Sequence, residues 1–350
     1  MINDENKLEN DNKTYIIAEM SANHMQDIEK AKKIIMEAKK AGADAVKIQT
    51  YRPDTITVDC SGKEFMCTPG SPWEKMNLYD LYKKAYTPWE WHDELFDFAR
   101  KNNIAMFSTP FDLTAVDFLQ KYDMPVYKIA SYEINDIPLI KRAAKEGKTM
   151  MISTGLAELK DIELAVKTCR SVGNTDIVLL KCVSEYPTPY EDINLKTMVN
   201  MCETFNCTVG LSDHSLGSCV AVAAVALGAR VIEKHLTLSR SQGGADADFS
   251  MEPTEFADMV RDIRNVEMAI GKVTYELSEK QLKSKERSRS LYIVKDMNKG
   301  ERFTSDNLKS IRPGYGIHTK YYEELLGKRC SCKLNKGTAM KWEYVEKEND

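Results

Sequence analysis

Short runs rich in Val, Ile and aromatic residues alternate with longer runs of helical period, eight times in succession between Thr14 and Gly271. This alternation restricts the fold more than any other feature, because strand, helix and strand in order make a right-handed parallel crossover. The expected strands are Tyr15–Met20, Ala45–Gln49, Ala105–Ser108, Val126–Ala130, Met150–Ser153, Ile177–Lys181, Thr208–Gly210 and Val231–His235. Amphipathic stretches near Ile28–Lys40, Pro88–Lys101, Thr114–Lys121, Ile137–Lys145, Glu158–Ser171, Leu195–Phe205, Ser218–Leu227 and Thr254–Ala269 follow them in turn. Eight such units within about 260 residues suit a closed (β/α)8 TIM barrel, an α/β fold, better than an open sheet. Gly42, Gly228 and Gly271 follow the first, seventh and eighth helical runs, where a glycine stop belongs.

The rest of the 350 residues divides around this unit. Residues 1–13 are a polar N-terminal tail, 14–271 the barrel, 272–288 a charged, helix-prone linker, and 289–350 a small separate module. In that module KDMNKGERFTSDNL reads as strand, glycine turn, strand and a short capped helix, followed by a helical YYEELLGK. A long insert, Tyr51–Thr87, follows the second strand and is expected as an ordered loop over the barrel mouth. Hydrophobic residues make up 43% and charged residues 29%, which rules out a disordered chain. No apolar run approaches the roughly 18 residues of a membrane span. The N-terminus lacks the apolar core of a secretory signal. Nine scattered cysteines without zinc-site spacing read as reduced thiols in a cytoplasmic protein. The net charge is −4, with an acidic body and a modestly basic tail. Without a basic stripe, no nucleic-acid or membrane partner is expected, and a small anionic ligand fits better.

Catalytic groups of parallel barrels stand at the C-terminal ends of the strands. All eight ends here are polar: Glu19; Lys47 and Gln49; Ser108 and Thr109; Lys128, Ser131 and Glu133; Ser153; Lys181, Cys182 and Ser184; Ser212, Asp213 and His214; Glu233, Lys234 and His235. Burying so many groups without function is costly. His214 and His235 end neighbouring strands and can converge on one divalent ion, manganese foremost, with zinc not excluded by ligand type. His24 is a third candidate ligand, whereas His92 and His318 read as structural or solvated. Lys47, Lys128 and Lys181 lie on alternate strands and would repel unless an anion sat among them. Lys181 is the weakest of the three, since its apolar run could turn it outward. Strand parity points Glu233 and His235 inward and Lys234 outward. Asp246, in a Gly-rich loop after the last strand, is placed to reach the site. Trp73, Trp89 and Trp91 either bound the cavity or simply pack near the insert.

The segments IIAEMSANH, GADAVKIQTY, FSTPFD, YKIAS, STG, GLSDHS and VIEKH occur in that order and strongly resemble the sialic acid synthase family. The module from Arg289, with IRPGYGI, resembles that family's antifreeze-like (SAF, β-clip) domain. Within the family, SANH, the KIQTY run, LYDLYKKAYTPWEWH and KIASYE look most like the branch that makes pseudaminic acid. The resemblance implies a metal-dependent transferase that condenses phosphoenolpyruvate with an open-chain N-acetylated amino sugar and releases phosphate by C–O cleavage. The branch implies a 6-deoxy-2,4-diacetamido hexose of altrose type. The alternative is an N-acetylneuraminate or legionaminic acid synthase, using N-acetylmannosamine or its 2,4-diacetamido-6-deoxy analogue. By resemblance, His214 and His235 hold the metal, with Mn2+ usual and Mg2+ or Co2+ as alternatives. Lys47, Thr109, Lys128, Ser131, Ser153 and Ser212 match phosphoenolpyruvate positions, and Gln49 and Tyr186 sugar positions. Glu19 and Asp246 match carboxylates near a metal-bound water, and Glu133 a proton-transfer group. Arg312 matches an arginine that reaches the sugar from the partner's antifreeze-like domain, which implies a domain-swapped homodimer. Two other classes compete with this reading. One is a non-catalytic carbohydrate- or ice-binding protein, and the other a metal aldolase that uses pyruvate and releases no phosphate.

Overall fold

The computed structural model describes residues 13–67, 74 and 76–347. Trp73 lies outside them, as does the expected N-terminal tail except Lys13. The chain divides into two compact units, Met1–Gly271 and Lys272–Asp350.

In the first unit, β1 (Tyr15–Glu19), β2 (Ala45–Thr50), β3 (Ala105–Pro110), β4 (Val126–Ile129), β5 (Thr149–Ser153), β6 (Ile177–Cys182), β7 (Thr208–Asp213) and β8 (Val231–His235) close into a barrel. The strands run parallel, and β8 returns to β1 with Glu19 opposite His235. Strands covered on both faces need continuous apolar runs, as in the buried Ile177–Leu180. The surrounding helices bury one stripe each: Ala31, Ile34, Ile35 and Ala38 carry the inner face of Ile28–Lys40. Asp27 caps that helix by accepting from the Glu29 and Lys30 amides, a contribution of about 1 kcal/mol. Gly42, at φ +89°, turns the chain out of it in a conformation costly for other residues.

Opposite the mouth, the last barrel helix, Pro253–Ile270, clamps the first strand. Arg264 donates to Asp44 at 2.9 Å and to the Thr14 carbonyl at 2.8 Å. Glu267 accepts from the Thr14 amide.

Several boundaries move from their sequence positions. β1 ends at Glu19 rather than Met20, and β4 at Ile129 rather than Ala130. β7 runs three residues past Gly210, because Asp213 stays in register with Lys234 of β8. The helix expected from Pro88 begins at His92, after a 3₁₀ turn over Trp89–Trp91. That turn is held by the Trp89 indole, which donates to the Tyr51 carbonyl at 3.1 Å and stacks on Phe118 at 4.3 Å. Trp89 and Trp91 therefore pack the helix entry. The insert carries helical segments of its own, Pro53–Ile56 and Leu78–Ala85.

The second unit pairs β9 (Ser290–Ile293) antiparallel with β10 (Leu308–Ile311) around a core of Leu291, Ile293, Phe303, Leu308, Leu325 and Met340. The short helix expected before Leu308 is a single turn. Asn307 accepts from the Thr304 amide at 2.8 Å, and the strand starts at once. Part of the expected linker is helical, at Glu279–Lys285. Among the described residues, no helix is long and apolar enough to cross a membrane.

Candidate active site

Parallel pairing sets neighbouring strands in step, so residues opposite one another share a face. Glu19 stands opposite Lys47, Gln49 opposite Thr109, and both Cys182 and Glu233 opposite Ser212. These all face the barrel interior, and their side chains form an ionic floor under the mouth. Lys47 Nζ lies 3.0 Å from Glu19 Oε2, 3.4 Å from Glu233 Oε1 and 3.2 Å from Thr109 Oγ1. Lys128 Nζ donates to Ser153 Oγ at 2.6 Å and stands 3.9 Å from Glu233 Oε1. Ser212 donates to the same Glu233 oxygen at 3.0 Å. All seven of these side chains are buried.

The charges are unequally matched. Burial pulls the Lys47 ammonium down, but Glu19 and Glu233 outweigh it and hold the group above the usual lysine range. Lys128 meets Glu233 only at longer range, and burial lowers its pKa. Burial raises Glu19 to about 7 despite Lys47. It pushes Glu233 up too, but Lys128 and Lys47 prevail and keep that carboxyl below its ordinary value. Proton uptake at Glu19 therefore shifts the floor one charge toward positive. Such a floor is suited to an anion.

Glu233 is the hub that sequence reasoning did not assign. Its signal was present: the alternation in VIEKH turns it inward with His235. The same alternation turns Lys234 outward, where it pairs with the buried Asp213 at 2.7 Å behind the barrel wall. Lys181 also faces outward. It donates to the Cys182 carbonyl at 2.8 Å and is not part of the floor. The expected ring of three ammonium groups is thus two, each met by carboxylate.

His214 and His235 stand together above Glu233, ring centroids 5.3 Å apart. His214 Nδ1 donates to the Val183 carbonyl at 2.9 Å, which leaves the Nε2 lone pair for a ligand. His235 Nδ1 is buried without a hydrogen-bond partner. Two imidazoles sharing an ion at about 2.1 Å have centroids roughly 5–6.5 Å apart, so the pair fits a divalent cation. Among the described residues no three His, Cys, Asp or Glu side chains are grouped to hold an ion. An ion held by these two nitrogens would leave its other positions to water and substrate. Phe249 packs 5.0 Å from His235 and 5.0 Å from Tyr186, whose ring lies 4.3 Å from His214. This aromatic collar was not legible, since Phe249 sits in a loop without periodicity.

His24 does not join the pair. Its Nδ1 accepts from the Gln26 amide at 3.1 Å, its Nε2 meets Thr87 at 3.3 Å, and Trp91 packs edge-on. It is a structural histidine tying the insert to the first loop.

The rim carries the other expected groups. Gln49 Nε2 donates to Glu19 at 3.2 Å and to Ser21 at 2.9 Å. Asp246 accepts from the Ala22 amide at 3.2 Å, and burial raises its pKa. Glu133, in the turn after β4, is raised by burial to about 7 and has a buried Oε2 with no partner. Ser131 accepts from the Gly155 amide at 3.0 Å. Arg312 is exposed on the second unit, beside a cis bond to Pro313.

A closed parallel barrel with a buried lysine–carboxylate floor beside two neighbouring imidazoles at the strand ends has the architecture of a TIM-barrel enzyme. The chain belongs to the NeuB family, whose sequence profile matches residues 34–275, and a SAF domain profile matches 288–346. A pseudaminic acid synthase from Campylobacter jejuni is 48% identical over 95% of this chain and 96% of its own length. A second, from Helicobacter pylori, is 43% identical over 95% of this chain and 98% of its own. The crystal structure of an N-acetylneuraminic acid (sialic acid) synthetase from Leptospira borgpetersenii, in complex with citrate, is 32% identical. It aligns with a TM-score of 0.68, covering 78% of this chain and 90% of that one.

Proposed function

We propose that this protein makes pseudaminic acid, condensing phosphoenolpyruvate with an open-chain 6-deoxy-2,4-diacetamido hexose of altrose type and water, and releasing phosphate. The observation that carries the reaction type is the buried Lys47–Glu19–Glu233–Lys128 floor beside the two imidazoles. The choice of sugar rests on the similarity to the two pseudaminic acid synthases.

In this reading Lys47, Lys128, Thr109, Ser131, Ser153 and Ser212 bind the carboxylate and phosphate of phosphoenolpyruvate and orient its enol carbon. His214 and His235 would hold a divalent cation, manganese by preference, which would supply Lewis acidity to the aldehyde. Gln49 and Tyr186 orient the sugar. The enol carbon attacks the aldehyde carbon, a C–C bond forms, and the carbonyl electron pair passes to oxygen. Glu133, raised by burial to about 7, delivers a proton to that oxygen from its acid form. Water adds to the former ester carbon, and Glu19 accepts its proton with Asp246 beside it. Collapse of the tetrahedral adduct breaks the C–O bond and leaves the ketone, the hydroxyl proton passing to the departing phosphate. Arg312 binds the sugar, and the protein works as a homodimer.

The test is phosphate release with phosphoenolpyruvate and a panel of amino sugars, with chelator and after manganese is restored. The expected result is metal-dependent release, fastest with the diacetamido altrose sugar. Faster release with N-acetylmannosamine or the legionaminic precursor overturns the sugar assignment. Product formed from pyruvate without phosphate overturns the reaction.

A further inference from the structure

Gly155 lies two residues beyond Ser153, past the end of β5. Its backbone does not take the left-handed conformation that calls for glycine elsewhere in the chain. Space is what it supplies. A Cβ at this position would stand 2.8 Å from Ser131 Oγ and 3.2 Å from Cys182 Sγ, and closer still to Ser184 Oγ. Ser131 and Cys182 are both buried, at the ends of β4 and β6 on either side of β5, and have little room to retreat.

The Gly155 amide also donates to Ser131 Oγ, at 3.0 Å. A serine hydroxyl has one hydrogen and two lone pairs. With a lone pair engaged by the amide, the hydrogen must point elsewhere. Its protein neighbour is the Cys182 sulfur, a weak acceptor. Ser153 is primed in the same manner, since its oxygen accepts from Lys128 at 2.6 Å. Both hydroxyls, at the ends of β4 and β5, thus have an oxygen occupied by an N–H donor, and the Ser131 hydrogen is held only by a weak sulfur acceptor that an anion outcompetes.

We propose that Gly155 is a positioning residue for the anionic substrate: its amide and its missing side chain together hold the Ser131 hydroxyl as a pre-aimed donor to a phosphoenolpyruvate oxygen. The inference rests on the function proposed above. Aiming a donor before the anion arrives removes reorganisation from the binding step. A side chain at 155 would displace Ser131 and lose that advantage at the phosphoenolpyruvate end of the site.

The test compares Gly155→Ala, Ser131→Ala and the double variant, by calorimetric phosphoenolpyruvate binding and by steady-state kinetics. Gly155→Ala is expected to raise the KM and Kd for phosphoenolpyruvate roughly 10- to 100-fold, the effect of losing a hydrogen bond to a charged group. The sugar KM should stay within about twofold, and in the Ser131→Ala background the Gly155 change should add less than about twofold. If Gly155→Ala does not fold, Gly155→Ala/Ser184→Ala relieves the closest contact while Ser131 stays crowded, and the same weakening is expected. Wild-type protein that binds phosphoenolpyruvate while the variants bind equally well overturns the inference alone. Equal rises in both KM values, or full additivity with Ser131→Ala, also overturn it. Wild-type protein that does not bind phosphoenolpyruvate overturns the proposed function as well.

Discussion

Replacing Glu233 with glutamine removes one negative charge and keeps nearly the same volume. Lys47 retains Glu19 at 3.0 Å, but Lys128 loses the carboxylate at 3.9 Å. A pair of unit charges about 4 Å apart is worth about 4 kcal/mol at an effective dielectric of 20. Lys128 recovers part of this by shedding its proton, since burial already lowers its pKa. A net destabilisation of about 2–3 kcal/mol remains, below the roughly 3–5 kcal/mol of a fully stranded buried charge. For a barrel of this size that lowers Tm by roughly 5–10 °C. A lysine with a lowered folded pKa binds fewer protons folded than unfolded, so its contribution to stability rises with pH toward the ordinary lysine value. The variant's deficit should therefore shrink in alkaline buffer. It should also shrink when inorganic phosphate supplies the missing negative charge, and phosphate should raise the variant's Tm more than the wild type's. Scanning calorimetry across pH and phosphate concentration measures all three effects. A variant that melts within about 1 °C of wild type, or that phosphate stabilises no more than wild type, refutes the ionic-floor argument.

Glu19 and Glu133 both titrate near pH 7, so the rate should be bell-shaped about neutrality, rising as Glu19 ionises and falling as Glu133 does. Glu133→Gln should lower kcat about 100-fold and abolish the alkaline fall, whereas an unchanged alkaline limb assigns that proton to another group. His235→Ala should lower metal content measured by elemental analysis, and turnover should fall by about 1000-fold; retention of one equivalent of ion would place the metal elsewhere. Arg312→Ala should raise the sugar KM about tenfold without changing that of phosphoenolpyruvate, and equal KM values would end its proposed role.

The eightfold alternation made the barrel legible, because helix and strand periods differ and each unit repeats both. Strand parity read locally was equally informative: it turned Glu233 and His235 inward and Lys234 outward, as the Asp213 pair bears out. Pairings across strands were not legible. That Lys47 meets Glu19 and Glu233 depends on the register around a closed sheet, which no single stretch encodes. Phe249 and His24 show the same limit in loops, where side-chain direction depends on tertiary packing. Gly155 was hidden for another reason: its neighbours, rather than its own backbone conformation, demand glycine.

The joint between β1 and β8 has a consequence for biosynthesis of the chain. Glu19 comes from the first strand of the barrel and His235 from its last, and Arg264 must follow before Asp44 and Thr14 are fastened. A truncated nascent barrel holds one of these partners without the other. Premature translation products therefore lack the closed barrel, which forms only as its two ends meet.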